Sequence, residues 1–137
     1  MPIYRGKQLD YMRTACGLAR DILLESAEQI EPGKTTGEID AYAAALMTKN
    51  NCDSAFLGYK QTNGPAFPGN VCISVNDEIV HGIGGQRVIQ PGDIIKLDVG
   101  IIKNGWVGDN FSPGTFDADT GRSTIGQIGS PVSRLKE

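Results

Sequence analysis

Residues 91–111 read P-G-D-I-I-K-L-D-V-G-I-I-K-N-G-W-V-G-D-N-F, and this stretch decides the fold. Pro91-Gly92-Asp93 is a turn signal. An apolar run follows, Ile94, Ile95, Leu97, Val99, Ile101 and Ile102, rich in the β-branched residues that suit a pleated, half-buried surface. Asn104-Gly105 then supplies two residues that tolerate positive φ, the strongest short-range hairpin signal. A second short run returns through Trp106 and Val107. Two carboxylates, Asp98 and Asp109, interrupt this ribbon. An ionised Asp in an apolar strand costs on the order of several kcal/mol unless something compensates it.

The register decides whether the two carboxylates meet. A two-residue turn at Asn104-Gly105 pairs Gly100 with Asp109 and Asp98 with Phe111. Asp98 and Asp109 are then diagonal neighbours on one face, ~7–8 Å apart at Cα and less at Cβ. A four-residue loop closed between Ile101 and Trp106 sets them directly opposite, whereas an odd-numbered loop puts them on different faces. Like charges side by side repel, and a shared cation relieves the repulsion. Carboxylate oxygens suit Mn²⁺ or Mg²⁺ and also serve Co²⁺, Fe²⁺ or Zn²⁺. The alternative is that both are solvated edge-strand charges that block aggregation. For two carboxylates on one face, one of them inside an apolar run, metal binding is the better explanation.

The chain has 137 residues, enough for one domain with a sizeable core. Lys and Arg number 13 against 16 acidic residues, a net charge of −3, and no basic run exists. That balance gives no support for a nucleic-acid or membrane partner. No apolar stretch approaches the ~20 residues that span a bilayer, and no signal-peptide core follows Met1. Cys16, Cys52 and Cys72 are odd in number and form no C-x-x-C pair, so neither a zinc ribbon nor a disulfide framework is indicated. A cytoplasmic location with reduced thiols is the expectation.

The first third of the chain reads as helical. Leu9, Met12, Cys16, Ala19, Leu23 and Ala27 recur at helical spacing, joined by Tyr11, Ala15 and Ile22, and predict a helix over residues 6–29. Glu31-Pro32-Gly33 stops it. Thr35 and Glu38 have capping-box spacing and open a second helix over 35–50, with Ile39, Tyr42, Ala43, Leu46 and Met47 as its apolar face. The two apolar faces are expected to pack on the sheet that carries the hairpin. Residues 54–57 and 71–75 are short strand candidates, and the Gly- and Pro-rich residues 58–69 form a loop. After Phe111 the apolar pattern stops. Residues 1–111 therefore read as the folded unit and 112–137 as a weakly ordered tail.

His81 is the only histidine. A lone His is ordinarily a surface residue. This one follows an apolar segment and precedes a Gly-rich turn, a place from which a side chain projects from a strand end into a cleft. There an imidazole can exchange protons with a substrate beside a metal. With one His, an H-E-x-x-H zinc site is excluded, and no G-x-S-x-G elbow is present.

Taken in order, Asn70-Val71-Cys72-Ile73-Ser74-Val75-Asn76, His81-Gly82-Ile83, Gly92-Asp93-Ile94 through Asp98-Val99, and Asn104-Gly105-Trp106-Val107-Gly108-Asp109 resemble the first half of a type I-like methionine aminopeptidase of the pita-bread metallopeptidase superfamily. The resemblance covers roughly residues 6–110. It implies an α+β fold, the N-terminal half of a pita-bread domain, with two helices on an antiparallel sheet and a metal-bearing hairpin. It implies removal of N-terminal methionine from nascent peptides with two divalent metals (Co, Mn, Fe, Zn or Mg), and ribosome association in the full-length family. By the same resemblance Asp98 is a bidentate ligand of one metal and Asp109 bridges both. His81 contacts the scissile amide and assists proton transfer. Phe56, Tyr59, Phe67 and Cys72 fall near the methionine pocket. Tyr59 and Cys72 carry over most directly, while Phe67 follows a 60–66 stretch longer than the usual loop. Aromatics plus a thiol suit a thioether, and ordinary core packing is an equal explanation of these four.

The chain departs from the family where the remaining ligands belong. Those are a His and two Glu from the second half. No His follows His81, and the one Glu after Glu78 is Glu137. Past Asp109 the family continues an apolar strand, whereas this chain reads Asn110-Phe111-Ser112-Pro113-Gly114. A truncated or frame-shifted reading explains that break, and the chain alone is expected to be inactive. The alternatives are a non-catalytic peptide-binding or interaction module, and a proline-specific or creatine-type member of the superfamily. The helix pair, residues 70–76 and His81-Gly82-Ile83 favour the methionine enzyme over the latter.

Overall fold

The computed structural model describes residues 3–115. Two helices, α1 (Lys7–Ala27) and α2 (Thr36–Lys49), precede four strands, β1 (Asp53–Ser54), β2 (Cys72–Val75), β3 (Ile94–Lys103) and β4 (Trp106–Thr115). All pairings are antiparallel and centre on β3. β4 runs along one edge of β3, while β2 and β1 share the other, β2 against Ile95–Asp98 and β1 against Ile101 and Ile102. The expected α+β arrangement, two helices on an antiparallel sheet, is what the chain adopts.

Both helix expectations hold in type. α1 ends two residues before the anticipated 29, where its last amides turn back onto Leu24 and Ser26. α2 starts with the reciprocal bonds of a capping box. The Glu38 amide donates to Thr35 Oγ1 at 3.2 Å, and the Thr35 amide donates to Glu38 Oε2 at 2.7 Å. Leu23 and Leu46 are buried at 3% and 6% exposure, so both helices do turn an apolar face inward. Leu9, Met12 and Tyr42 are half-buried, and Tyr11 and Cys16 are exposed. The buried apolar side of α1 is Ala15, Ala19, Ile22, Leu23 and Ala27, all within the expected set. Its rotation is set where it crosses β4. A Cβ on Gly108 would run into the Ala15 carbonyl, so helix and strand meet backbone to backbone there.

Alternation along β3 separates two faces. Ile95, Leu97, Val99 and Ile101 are at most 1% exposed and form the core under the helices, with Ile22, Ile39, Val71 and Ile73. The opposite face carries Ile94, Lys96, Asp98, Gly100 and Ile102, matched on β4 by Val107, Asp109 and Phe111. Ile94, Ile102, Val107 and Phe111 on that face are exposed.

Two strand boundaries differ from expectation. The short strand near residue 54 is Asp53–Ser54, ending where a bend turns the chain into the 58–69 loop. β4 extends to Thr115, pairing Pro113 with Lys96 and Thr115 with Ile94. Backbone pairing thus continues four residues beyond the last residue of the apolar pattern. Proline is compatible with this because β4 has a neighbour on one side only among the described residues. Residues 116–137, most of the expected tail, lie outside the described residues.

Candidate metal centre and side-chain pocket

The hairpin turns at Asn104 and Gly105 with φ of 53° and 77°, the left-handed pair of a type I′ turn. The resulting register pairs Gly100 with Asp109 and Asp98 with Phe111. Asp98 and Asp109 are therefore diagonal neighbours on the open face, as the two-residue turn requires. On its other side Asp98 pairs with Cys72 of β2, and Cys72 in turn bridges to Ile83. The thiol, the two carboxylates and the segment after His81 are thereby stitched together through the backbone.

His81 has φ of 59°, unusual for a side chain with a Cβ. The next residue explains how it is held. The Gly82 amide donates to Ser74 Oγ at 2.9 Å, and its carbonyl accepts from the Ile73 amide at 2.9 Å. A Cβ on Gly82 would overlap the Ile73 carbonyl, so glycine is required at this approach. Gly100 is similarly constrained, because a Cβ there would lie 2.5 Å from the Phe56 ring.

These elements line an open cavity of about 510 Å³, with Tyr59 and His81 exposed at its mouth. Its lining includes every residue singled out from the sequence: Phe56, Tyr59, Phe67, Cys72, His81, Asp98 and Asp109. Phe67 belongs to it despite the long preceding loop. Its amide and carbonyl bond to Tyr59 and Gly58 at 2.8 Å, closing the loop as a small ladder. Phe56 and Phe67 pack edge to face with ring centroids 6.4 Å apart. Ala55, Ile83 and the run Pro65, Ala66 and Pro68 also line it. Sequence reading missed Ala55, Pro65, Ala66 and Pro68 because small and proline residues in a loop carry no periodicity.

The electrostatics are those of a site short of positive charge. Burial, then the charge of Asp109 and a hydrogen bond with it, push the Asp98 carboxyl up to about 6, while the charge of His81 pulls in the other direction. Asp98 Oδ1 is buried and has no hydrogen-bond partner. Burial and then the charges of Asp98, Asp109 and Asp40 push the Cys72 thiol up to about 12, so it sits in the pocket as a neutral wall. An orphaned carboxylate oxygen beside a second carboxylate fits one hard divalent cation. No group of three or more His, Cys, Asp or Glu able to hold a metal occurs among the described residues. The donor set fits a first ion held by two carboxylates, and does not by itself fit a second.

Paired carboxylates, an imidazole and an apolar cavity on a helix-backed sheet are equipment of the metallohydrolase kind. The chain belongs to metallopeptidase family M24, whose family model matches residues 10–111. It is 37% identical over 134 residues to a methionine aminopeptidase of Clostridium acetobutylicum, covering 97% of this chain and 48% of that protein. It is 39% identical over 103 residues to methionine aminopeptidase 1 of Schizosaccharomyces pombe, covering 75% of this chain and 26% of that one. The crystal structure of methionine aminopeptidase from Rickettsia prowazekii superimposes with a TM-score of 0.77 at 31% identity, over 82% of this chain and 44% of that chain. The fold is accordingly one half of the pita-bread arrangement. The chain spans between about a quarter and a half of the length of these relatives.

Proposed function

We propose that this chain is the carboxylate-bearing half of a methionine aminopeptidase, acting on peptides with an N-terminal methionine. The observation that carries the reading is the single cavity in which Asp98, Asp109, His81 and an aromatic-and-thiol wall converge. In this reading Asp98 and Asp109 hold a divalent metal, which when bound supplies an activated water and polarises the scissile carbonyl. His81, on the strained turn anchored by Gly82, donates to or accepts from the substrate amide. Phe56, Tyr59, Phe67 and Cys72 receive the methionine side chain. A neutral thiol and ring edges suit a thioether.

Within the same reading the 137 residues alone show little or no turnover. Two carboxylates attract one cation, but water competes for its remaining positions. Two-metal hydrolysis needs a pair of ions roughly 3.5–4 Å apart, and the further anchoring groups are not in this sequence. The alternative reading is a non-catalytic peptide-binding half. The two are separated by assaying methionine release from Met-Ala-Ser with Mn²⁺ or Co²⁺. The chain alone is expected to be inactive. Joined to the C-terminal half of a methionine aminopeptidase, it is expected to release methionine, and Asp98→Asn or Asp109→Asn should abolish that release. Failure of the joined protein to cleave would favour the binding module.

A further inference from the structure

The side chain of Asp40, on the second turn of α2, enters the readings above only through its charge on Cys72. Its carboxylate accepts three hydrogen bonds from two consecutive residues: Asn70 N to Oδ1 at 2.7 Å, Val71 N to Oδ1 at 2.9 Å, and Asn70 Nδ2 to Oδ2 at 2.9 Å. These residues immediately precede Cys72. The grip continues beyond them. The Asn70 carbonyl accepts from Ser54 Oγ at 2.6 Å, and that hydroxyl oxygen accepts the amides of Phe56 and Leu57, each at 3.0 Å. One relay therefore runs from α2 through Asn70 to the start of the pocket loop, and holds both of its ends. Gly84, three residues past His81, packs on the same side chain, since a Cβ there would lie 2.9 Å from Asp40 Cβ. No basic side chain pairs with Asp40 among the described residues. Its carboxylate works by hydrogen bonding, in the charge-assisted form that is roughly twice as strong as a neutral bond.

We propose that Asp40 is the positioning residue of the side-chain pocket, fixing through Asn70 and Ser54 the wall formed by Phe56, Phe67 and Cys72. Its bearing on methionine selection rests on the function proposed above, whereas the clamp itself does not. Cys52 provides an internal control. It is buried at the end of α2, with its amide on the Met47 carbonyl, and does not line the cavity.

The test is native-state alkylation with iodoacetamide, read at each cysteine by peptide mass mapping. In Asp40→Ala, Cys72 should react at least about tenfold faster while Cys52 is unchanged, because leaving the Asn70 and Val71 amides without an acceptor opens the loop locally. Asp40→Asn keeps an acceptor for the two amides and should stay within about threefold of the wild type. Ser54→Ala breaks the far end of the relay and should reproduce the Cys72-specific effect, which keeps the test valid if Asp40→Ala does not fold. Cys72 and Cys52 accelerating together, or neither changing, would overturn the proposal. L-methioninol, an amino alcohol with the methionine side chain, should slow Cys72 alkylation in the wild type. Loss of that protection alone, with the Asp40 effect intact, would count against the methionine reading and leave the clamp standing.

Discussion

At the scale of single residues, Asp98 is the pocket carboxyl that its surroundings disturb. Its carboxyl is raised from 3.8 to about 6, so between those values the folded chain binds a proton that the unfolded chain has lost. Stability contributed through this group is greatest below the lower value and falls as pH rises through about 6. Asp98→Asn removes the penalty without changing shape. The variant should be the more stable of the two above that window, with the difference vanishing at the acid end, as measured by urea unfolding across pH. A wild type more stable than Asp98→Asn at neutral pH in the absence of metal would contradict the assignment. The thiols give an independent check. Cys16 is exposed, while Cys52 and Cys72 are buried and have raised pKa values. Cys16 should therefore be alkylated first in the native chain, and early labelling of Cys72 would contradict the packing at the carboxylates.

At the scale of elements, the hairpin and the α1 crossing are the features most exposed to mutation. Gly105 has φ of 77° with open space around it, so Gly105→Ala should cost about 1 kcal/mol through backbone strain alone. Gly108 has an ordinary φ but no room, because a Cβ there meets the Ala15 backbone. Gly108→Ala should cost more, on the order of 1–3 kcal/mol, by forcing α1 off β4. Thermal or urea unfolding orders the two, and a milder effect at Gly108 would mean that the helix has slack there. This contrast shows which elements were legible in the sequence. The Asn104-Gly105 turn and the Thr35–Glu38 capping box are local, so their residues specify them with no knowledge of the rest. From the turn alone it followed that Asp98 and Asp109 share a face, and the structure selects the two-residue register of the two that were open. The buried side of α1 followed in part: Ala15, Ala19, Ile22, Leu23 and Ala27 were expected, whereas Tyr11 and Cys16 fit the helical period equally well and are exposed. The last residues of β4 were missed for another reason. Pairing there depends on backbone bonds to Ile94–Lys96, and Ser112, Pro113 and Gly114 carry no apolar alternation to announce it. The role of Asp40 was likewise invisible, because its partners lie 30 residues away in sequence.

At the scale of the whole molecule, the sheet is asymmetric in function. One face is sealed by two helices. The other exposes Ile94, Ile102, Val107 and Phe111 around a pair of carboxylates, one of which has an orphaned oxygen. The candidate site residues come from four segments: β2 with Cys72, residues 55–68 with Phe56, Tyr59 and Phe67, the turn with His81, and the hairpin with both Asp residues. This assembly explains why the pocket residues were recognisable as types while their convergence had to be seen. The central claim is that Asp98 and Asp109 act as one cation site. The most direct test is a Mn²⁺ titration of the 137-residue chain near neutral pH, followed by calorimetry or by the Mn²⁺ paramagnetic resonance signal, beside Asp98→Asn and Asp109→Asn. The account predicts weak binding of a single ion by the wild type and loss of that binding in both variants. Undiminished Mn²⁺ binding after either substitution would contradict it.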